Sequence, residues 1–178
     1  MKKVHLGDEG FTSIYYGVKI PKEYPLIEIL GELDELNSLI GFARSVEKNS
    51  MINDLLKQIQ SLIFRMSRDL AIPVDRLDNP LISKEDIDMI ERKTIELWES
   101  IREPRFVFVY PTGSQAASII HVARSVCRRA ERTASKLYHD GRIKNIYLVL
   151  LNRLSDLLFV LARYTNQING FSEEFWSP

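Results

Sequence analysis

The stretch NIYLVLLNRLSDLLFVLARY, residues 145–164, decides the fold. Leucine and other apolar residues occupy almost its whole helical circumference, which is typical of a helix that is buried on most sides. Such a helix needs neighbours around it, and helical periodicity predicts them. The predicted helices cover residues 26–48, 51–70, 84–101, 114–139 and 145–169. The sequence therefore predicts an all-α fold, a bundle of five helices.

Proline and glycine mark the breaks between these helices. Ser83, followed three residues later by Asp86, has the pattern of a residue that caps the third helix. Only RFVFVY, residues 105–110, looks like a strand, and it is too short and too solitary to form a sheet. Residues 1–25 hold several glycines and prolines, so we expect an ordered loop there instead of a helix.

The composition favours one soluble domain over residues 1–178, with the loop at 1–25 and the helical bundle at 26–170. Lysine and arginine number 24, as do aspartate and glutamate, so no net charge attracts nucleic acid or an anionic membrane. The lone Cys127 excludes an internal disulfide framework and favours a reducing compartment. No uninterrupted run of about twenty apolar residues is present. We therefore expect a cytoplasmic protein with neither nucleic acid nor membrane as a partner.

A row of arginines stands out in RSVCRRAER, residues 124–132. At 100° per residue, Arg124, Arg128 and Arg132 lie on one flank of the helix with Glu131 among them, whereas Arg129 falls on the other flank. Like charges at this spacing cost roughly 0.2–0.5 kcal/mol per pair on an exposed helix. Either acids from neighbouring helices or an anionic ligand must compensate for this charge.

Polar residues form two further stripes. Asn152, Asp156 and Arg163 lie close together on the apolar last helix, where buried polar groups need partners. We expect those partners on the arginine row or on a ligand between the two helices. A salt-bridge network between helices would also supply partners for these polar groups. On the first helix, one face carries small residues and a carboxylate, and we expect a close neighbour there. The residues of this face are Gly31, Asp34, Ser38 and Gly41.

Other acids of the first helix, Glu32 and Glu35 among them, are expected to be solvated. Before that helix, LGDEGFTS at residues 6–13 offers backbone N–H groups and hydroxyls that could contact phosphates, and Lys22 adds a positive charge. Taken alone, this segment is no established phosphate-binding motif and fits an ordinary turn better.

Four motifs in this order resemble one enzyme family. They are LGDEGFTS (6–13), LDELNSLIG (33–41), RSVCRRAER (124–132) and LNRLSDLLFVLAR (151–163). Together they resemble the PduO-type ATP:cob(I)alamin adenosyltransferases over nearly the whole chain. The resemblance implies a trimer of ferritin-like, cobalamin adenosyltransferase-like five-helix bundles with active sites between subunits. It also implies transfer of the 5′-deoxyadenosyl group of ATP to the cobalt of cob(I)alamin, usually with Mg²⁺, which gives adenosylcobalamin and tripolyphosphate.

The resemblance also assigns residues. Asp34, Arg128 and Arg132 match catalytic positions, with Asp34 and Arg128 paired across the subunit interface. Phe108 and Asp156 match the corrinoid site, where Phe108 belongs to a wall that keeps the lower face of the corrinoid free of a ligand. No metal ligand is implied. The ATP-binding residues implied by the family are Gly7, Asp8, Gly10, Thr12, Lys22, Arg124, Arg128, Glu131, Arg132 and Asn152.

One departure concerns the nucleotide loop, which here reads Val4-His5-Leu6 where the family usually has a Thr-Lys-Thr-like stretch. Two hydroxyls and a full positive charge are lost, so we expect weaker ATP affinity. This departure keeps an alternative open, namely a corrinoid- or nucleotide-binding bundle of the same fold without catalysis. A purely structural helical protein is the remaining alternative. An enzyme that uses adenosylcobalamin is a potential acceptor partner.

Overall fold

Five α-helices account for most of the computed structural model, which describes residues 7–103 and 108–177. Every predicted helix is present, and each boundary lies within two residues of its predicted position. The all-α bundle is therefore confirmed. The helices are α1 (Pro25–Val46), α2 (Ser50–Leu70), α3 (Lys84–Ser100), α4 (Gln115–His139) and α5 (Asn145–Ile168).

Local capping explains where several helices begin. The Asn49 side chain accepts a hydrogen bond from the N–H of Ile52 at the start of α2, and Ser114 accepts one from Ala117 at the start of α4. At α3 the predicted cap is confirmed, because the Asp86 carboxylate accepts the backbone N–H of Ser83 at 3.0 Å.

Helix α5 lies at the centre of the packing, against α3 on one side and α4 on the other, while α1 packs against α4 and α2. Its leucines belong to one apolar core that all five helices share. Among the described helices, α5 alone is long and apolar enough to cross a membrane, yet 56% of its apolar stretch is buried inside the bundle. The burial around α5 that the sequence predicted is thus supplied by the protein itself.

The segment before α1 differs from the predicted loop. Strands β1 (Phe11–Ser13) and β2 (Lys19–Pro21) pair antiparallel and form a small hairpin. The N–H of Tyr15 donates to the carbonyl of Ala71 at 3.1 Å, which fixes the hairpin beside the end of α2. Sequence reasoning missed this pairing because each strand has only three residues.

The C-terminal segment, residues 171–177, folds back over the chain that precedes α4. Val109 and Phe175 form an isolated antiparallel bridge, and the N–H of Trp176 donates to the carbonyl of Phe108 at 2.9 Å. Residues 105–107 of the predicted strand-like stretch lie outside the described residues, as do positions 4–6.

Candidate active site

The arginines on the two flanks of α4 differ in whether they form ion pairs. On one flank, Nε of Arg129 lies 3.3 Å from Oε1 of Glu32, and the same guanidinium contacts Glu35. Glu32 is only 6% exposed, so the prediction that it is solvated was wrong. A helical wheel places Glu32 on a flank, but it does not show that α4 covers that flank. Burial raises the pKa of Glu32, while a hydrogen bond from Thr133 and the charge of Arg129 lower it.

On the other flank, Arg124, Arg128 and Arg132 form what we call the arginine row. Within residues 7–103 and 108–177, none of these three guanidinium groups has a carboxylate within ion-pair distance. Arg132 instead donates to the carbonyl of Arg128 at 3.1 Å. Nε of Arg124 is buried without a hydrogen-bond partner, and burial followed by the nearby charge of Arg128 lowers the Arg124 pKa. The row is therefore a strip of positive charge without a direct ion pair among the described residues, although Asp156 and Glu32 act on it at longer range.

One end of the row opens into a polar cavity of 470 Å³ between α4 and α5, the arginine cleft. The amide of Asn152 donates to Glu131 at 2.8 Å across it, so its partner lies on α4 beside the arginine row, where the sequence had predicted an arginine or a ligand. Arg153, which sequence reasoning missed, donates to Asn152 at 2.5 Å and to Glu91 at 2.7 Å. The cleft is lined by Arg128, Glu131, Arg132, Ser135, Asn145, Leu148, Val149, Asn152 and Arg153.

The other end of the row opens into a larger cavity of 690 Å³, the apolar groove. Its lining brings together the two predicted corrinoid residues, Phe108 and Asp156, with Arg124. Phe108 is 77% exposed, the highest fraction among the exposed large apolar side chains of the described residues. The protein around one side of Asp156 raises the pKa of its carboxyl by desolvation, although its other side is open to solvent.

Aromatic side chains that sequence reasoning did not single out line the groove. Trp98 comes from α3 and Phe159 from α5. The Arg124 guanidinium lies 5.8 Å from the centroid of the Phe159 ring, a cation–π contact. An aromatic residue beside the arginine row was the available signal, but helical spacing alone could not distinguish these rings from ordinary core residues.

Arg163 does not belong to the stripe that Asn152 and Asp156 form. It is 1% exposed, and its guanidinium donates to Glu173 of the C-terminal segment at 2.8 Å from both Nε and Nη2. The expectation that its partner lies on the arginine row or on a ligand was therefore wrong. Glu173 follows α5 in a segment without periodicity, so no pattern connected the two residues.

The predicted phosphate loop lies on the hairpin. Gly10 has φ +79°, and its carbonyl accepts the N–H of Lys22 at 2.9 Å. A Cβ atom on Gly7 would lie 2.9 Å from Nζ of Lys22, so the end of the lysine side chain lies directly over Gly7. Asp8 is exposed and Thr12 half-buried in the same hairpin. No hydrogen bond or ion pair between described residues joins this hairpin to the arginine cleft of the same chain.

The small-residue face of α1 is open. Gly31, Asp34 and Ser38 are exposed, and no atom lies within 4 Å of the position of a Cβ on Gly31. Only Gly41 meets a neighbour, the amide of Gln60 at 3.2 Å. Among the described residues of one chain, Asp34 has no ion pair, so its pairing with Arg128 across subunits stays a prediction.

The described residues hold no group of three or more His, Cys, Asp or Glu side chains that could bind a metal ion. Cys127 is fully buried and donates to the carbonyl of Leu151, and burial raises the pKa of its thiol. A buried thiol of raised pKa is a poor nucleophile. The site thus offers binding, orientation and positive charge instead of a protein nucleophile.

Fold and site together define a class: helical bundles in which a row of arginines without ion pairs among the described residues joins a cleft lined by polar side chains to an open apolar groove. A profile of the cobalamin adenosyltransferase family matches residues 3–165. Corrinoid adenosyltransferase MMAB of Mus musculus is 34% identical over 177 residues, which cover 96% of this chain and 74% of the relative. The corrinoid adenosyltransferase of Bacillus subtilis is 35% identical over 171 residues, with coverage of 94% and 87%.

The structure of a variant PduO-type ATP:corrinoid adenosyltransferase from Lactobacillus reuteri, complexed with cobalamin and ATP, is also similar. Its TM-score is 0.91 at 32% identity, and the match covers 99% of this chain and 96% of that one. The chain therefore belongs to the cobalamin adenosyltransferase family, enzymes that transfer the adenosyl group of ATP to a corrinoid.

Proposed function

We propose that the arginine cleft binds the triphosphate of ATP and the apolar groove binds the corrinoid. One observation carries this assignment: the unpaired arginine row opens into the cleft at Arg128 and Arg132 and into the groove at Arg124. Both substrates then lie along one helix. Transfer between two bound molecules requires this kind of proximity, because fixed geometry replaces a chance encounter.

In the proposed reaction, the electron pair of cobalt(I) attacks C5′ of ATP. The Co–C5′ bond forms as the C5′–O5′ bond breaks, and tripolyphosphate leaves with the O5′ oxygen and its electrons. The corrinoid is itself the nucleophile, so the protein needs none of its own. Its contribution is to stabilise the negative charge that develops on the leaving group, which Arg128 and Arg132 are placed to do.

Other residues of the cleft and the groove have supporting roles in this proposal. Asn152 and Glu131 are hydrogen-bonded to each other at 2.8 Å and form a fixed polar wall for the nucleoside. Phe108, with its exposed ring, covers the lower face of the corrinoid, and Asp156 holds a polar substituent at the groove mouth. Arg124, whose Nε lacks a partner, lies where the two substrates meet.

A trimer completes the site in this proposal. The hairpin with Gly7, Asp8, Gly10, Thr12 and Lys22 makes no polar contact with the arginine cleft of its own chain, and the α1 face around Asp34 is open. A second copy that packs on this face would bring Asp34 to Arg128 and a hairpin to the triphosphate. Both open features support this arrangement.

The remaining assignments follow from the substrates. Mg²⁺ arrives as the MgATP complex, held by phosphate oxygens instead of a protein cluster. Cob(I)alamin is a strong reductant, so the reaction belongs in the reducing cytoplasm, and an enzyme that uses adenosylcobalamin accepts the product. Residues 1–178 act as one domain in this scheme, since the hairpin and the bundle both contribute to each site.

Anaerobic mixing of the purified protein with MgATP and chemically reduced cobalamin tests the proposal. The visible spectrum should change to that of adenosylcobalamin at a rate proportional to protein concentration. Light should then convert this product to cob(II)alamin by homolysis of the Co–C bond, which releases the 5′-deoxyadenosyl radical. Binding of both ligands without product would instead indicate the non-catalytic bundle. Sedimentation of the same sample should give the mass of three chains.

A further inference from the structure

Arg163 is among the largest fully buried side chains of the molecule, and it lies beneath the apolar groove without lining it. Its guanidinium lies 5.2 Å from the ring of Trp98 and 5.7 Å from that of Phe159, two of the three aromatic residues that line the groove. A buried guanidinium is costly to desolvate, so what it binds must matter to the structure.

Its polar contacts join two segments that are distant in sequence. Nε and Nη2 hold both carboxylate oxygens of Glu173, and Nη2 also donates to the carbonyl of Glu103 at 3.4 Å. Bidentate contacts of this kind fix the direction as well as the distance of the carboxylate. Glu173 is thereby held in one orientation, and Glu173 belongs to the C-terminal segment.

The C-terminal segment in turn holds Phe108. The N–H of Tyr110 donates to the carbonyl of Glu174 at 2.9 Å, and the N–H of Trp176 donates to the carbonyl of Phe108 at 2.9 Å. The rings of Phe108 and Trp176 meet edge to face, with centroids 6.1 Å apart. Because Phe108 itself is 77% exposed, burial does little to fix its ring. Contacts with the C-terminal segment do this instead.

We propose that Arg163 is a positioning residue for the corrinoid, which acts by anchoring Glu173 and thereby the segment that sets the place of Phe108. The proposal rests on the proposed function, since it takes Phe108 as the wall of the corrinoid site. Arg163 touches neither substrate. The Arg163 guanidinium holds the Glu173 carboxylate, and this fixes the C-terminal segment. Two backbone hydrogen bonds from that segment then set the position of the Phe108 ring.

The informative substitution is Glu173→Gln, which keeps the shape of the side chain but weakens the anchor. Arg163 borders a cavity of 360 Å³ together with Glu173, so water can reach the guanidinium when the anchor loosens, and the bundle should remain folded. Glu174→Gln is the matched control, because it makes the same change one residue further along and alters only an exposed side chain.

We expect Glu173→Gln to lower kcat/KM for cob(I)alamin about tenfold by misplacing Phe108, while KM for MgATP stays constant. Glu174→Gln should match the wild type. If Glu173 acts through Phe108, the Glu173→Gln change should cause no further loss in a Phe108→Ala background. The proposal would be overturned if Glu173→Gln lowered kcat/KM equally for cob(I)alamin and MgATP, or if it did not lower kcat/KM at all. It would also be overturned if the losses from Glu173→Gln and Phe108→Ala multiplied in the double variant.

A second readout does not depend on turnover. The absorption bands of protein-bound cob(II)alamin, recorded with MgATP present, report whether the lower axial position is empty. Glu173→Gln should move these bands towards those of free cob(II)alamin, and unchanged bands would contradict the anchor. If the wild-type chain binds cob(II)alamin but forms no adenosylcobalamin, the proposed function is refuted. The role of Arg163 and Glu173 can still be tested in that case, because the cob(II)alamin spectrum does not depend on turnover. Should Glu173→Gln fail to fold, Glu173→Asp allows both measurements with the charge retained.

Discussion

Helix α4 carries arginines on both flanks, and the two flanks differ in what neutralises them. Arg129 faces α1 and contacts Glu32 and Glu35, whereas Arg124, Arg128 and Arg132 face α5 and meet no carboxylate among the described residues. The residue type and the helix are the same. Only the paired arginine is explained by the fold of one chain, so the other three need partners from outside it, which the proposed trimer supplies as Asp34 of a second copy and the bound substrates.

Arg132→Ala should produce the largest effect that separates the flanks. Removing a charge that stabilises the leaving tripolyphosphate should lower kcat about 1,000-fold or more. The thermal midpoint should remain close to that of the wild type, because Arg132 is exposed and has no ion pair to lose. Rapid-quench product assays and a melting curve measure the two quantities. Retained activity would show that the unpaired flank of α4 is not needed for adenosyl transfer.

The unpaired flank also predicts sensitivity to acid, because it already holds excess positive charge. His121 is buried, and burial, followed by the charge of Arg124, lowers its pKa from 6.5 to about 4; Arg163 lowers it further and Glu173 raises it. The folded pKa lies below the unfolded one, so this contribution to stability is fully present above pH 6.5 and is lost as the pH falls towards 4.

Between pH 7 and pH 5 the free energy of unfolding should therefore fall by about 2 kcal/mol through this residue. Urea unfolding at both pH values measures the change. The same measurement on His121→Gln isolates the imidazole, since the variant keeps every other titrating group. An equal pH dependence in both proteins would show that the buried imidazole is not responsible.

Arg129→Ala tests the paired flank and should do the reverse of Arg132→Ala. It leaves the buried carboxylate of Glu32 without its ion-pair partner, so the free energy of unfolding should fall by about 1–2 kcal/mol. Adenosyl transfer should continue at close to the wild-type rate in the folded protein. Denaturant unfolding gives the first quantity and the steady-state assay the second. If Arg129→Ala instead lost activity and kept its stability, Arg129 would belong to the active site, and its flank would not be the structural one.

The smallest effect is expected for Glu91→Gln, which removes the partner of Arg153. Arg153 lies in the arginine cleft but is paired, and both side chains of this ion pair are over 40% exposed. Such a pair contributes little, so the free energy of unfolding should change by less than about 0.5 kcal/mol. If KM for ATP falls in this variant, Arg153 binds phosphate once it has lost Glu91. The difference between paired and unpaired arginines would then apply to α5 as well as to α4.

Periodicity predicted the helices because it reflects which side chains face the core, and a face is a local property of sequence. It also grouped Arg124, Arg128 and Arg132, since their spacing of four residues is local too. It misjudged Glu32 and Arg163 for the opposite reason. Their partners, Arg129 and Glu173, are set by how elements pack, and no spacing within one helix contains that information.

The same reasoning explains the hairpin and the groove. Phe11 pairs with Pro21 across a turn in strands too short to show alternation. Trp98 and Phe159 come from different helices and meet only after the bundle forms. Resemblance to a family indicated Phe108 and Asp156, and the structure brings both to one groove. The polar stripe of the last helix had singled out Asp156, but residue patterns alone could not place Phe108 beside it.

The arginine row spans residues 124–132 of one uninterrupted α-helix. At about 1.5 Å per residue, its two ends lie about 12 Å apart, and the hydrogen-bonded helix holds this length constant. In the proposed site, α4 therefore keeps a fixed separation between the triphosphate in the arginine cleft and the corrinoid in the apolar groove. A substitution outside α4 can change how tightly either substrate binds without changing this separation.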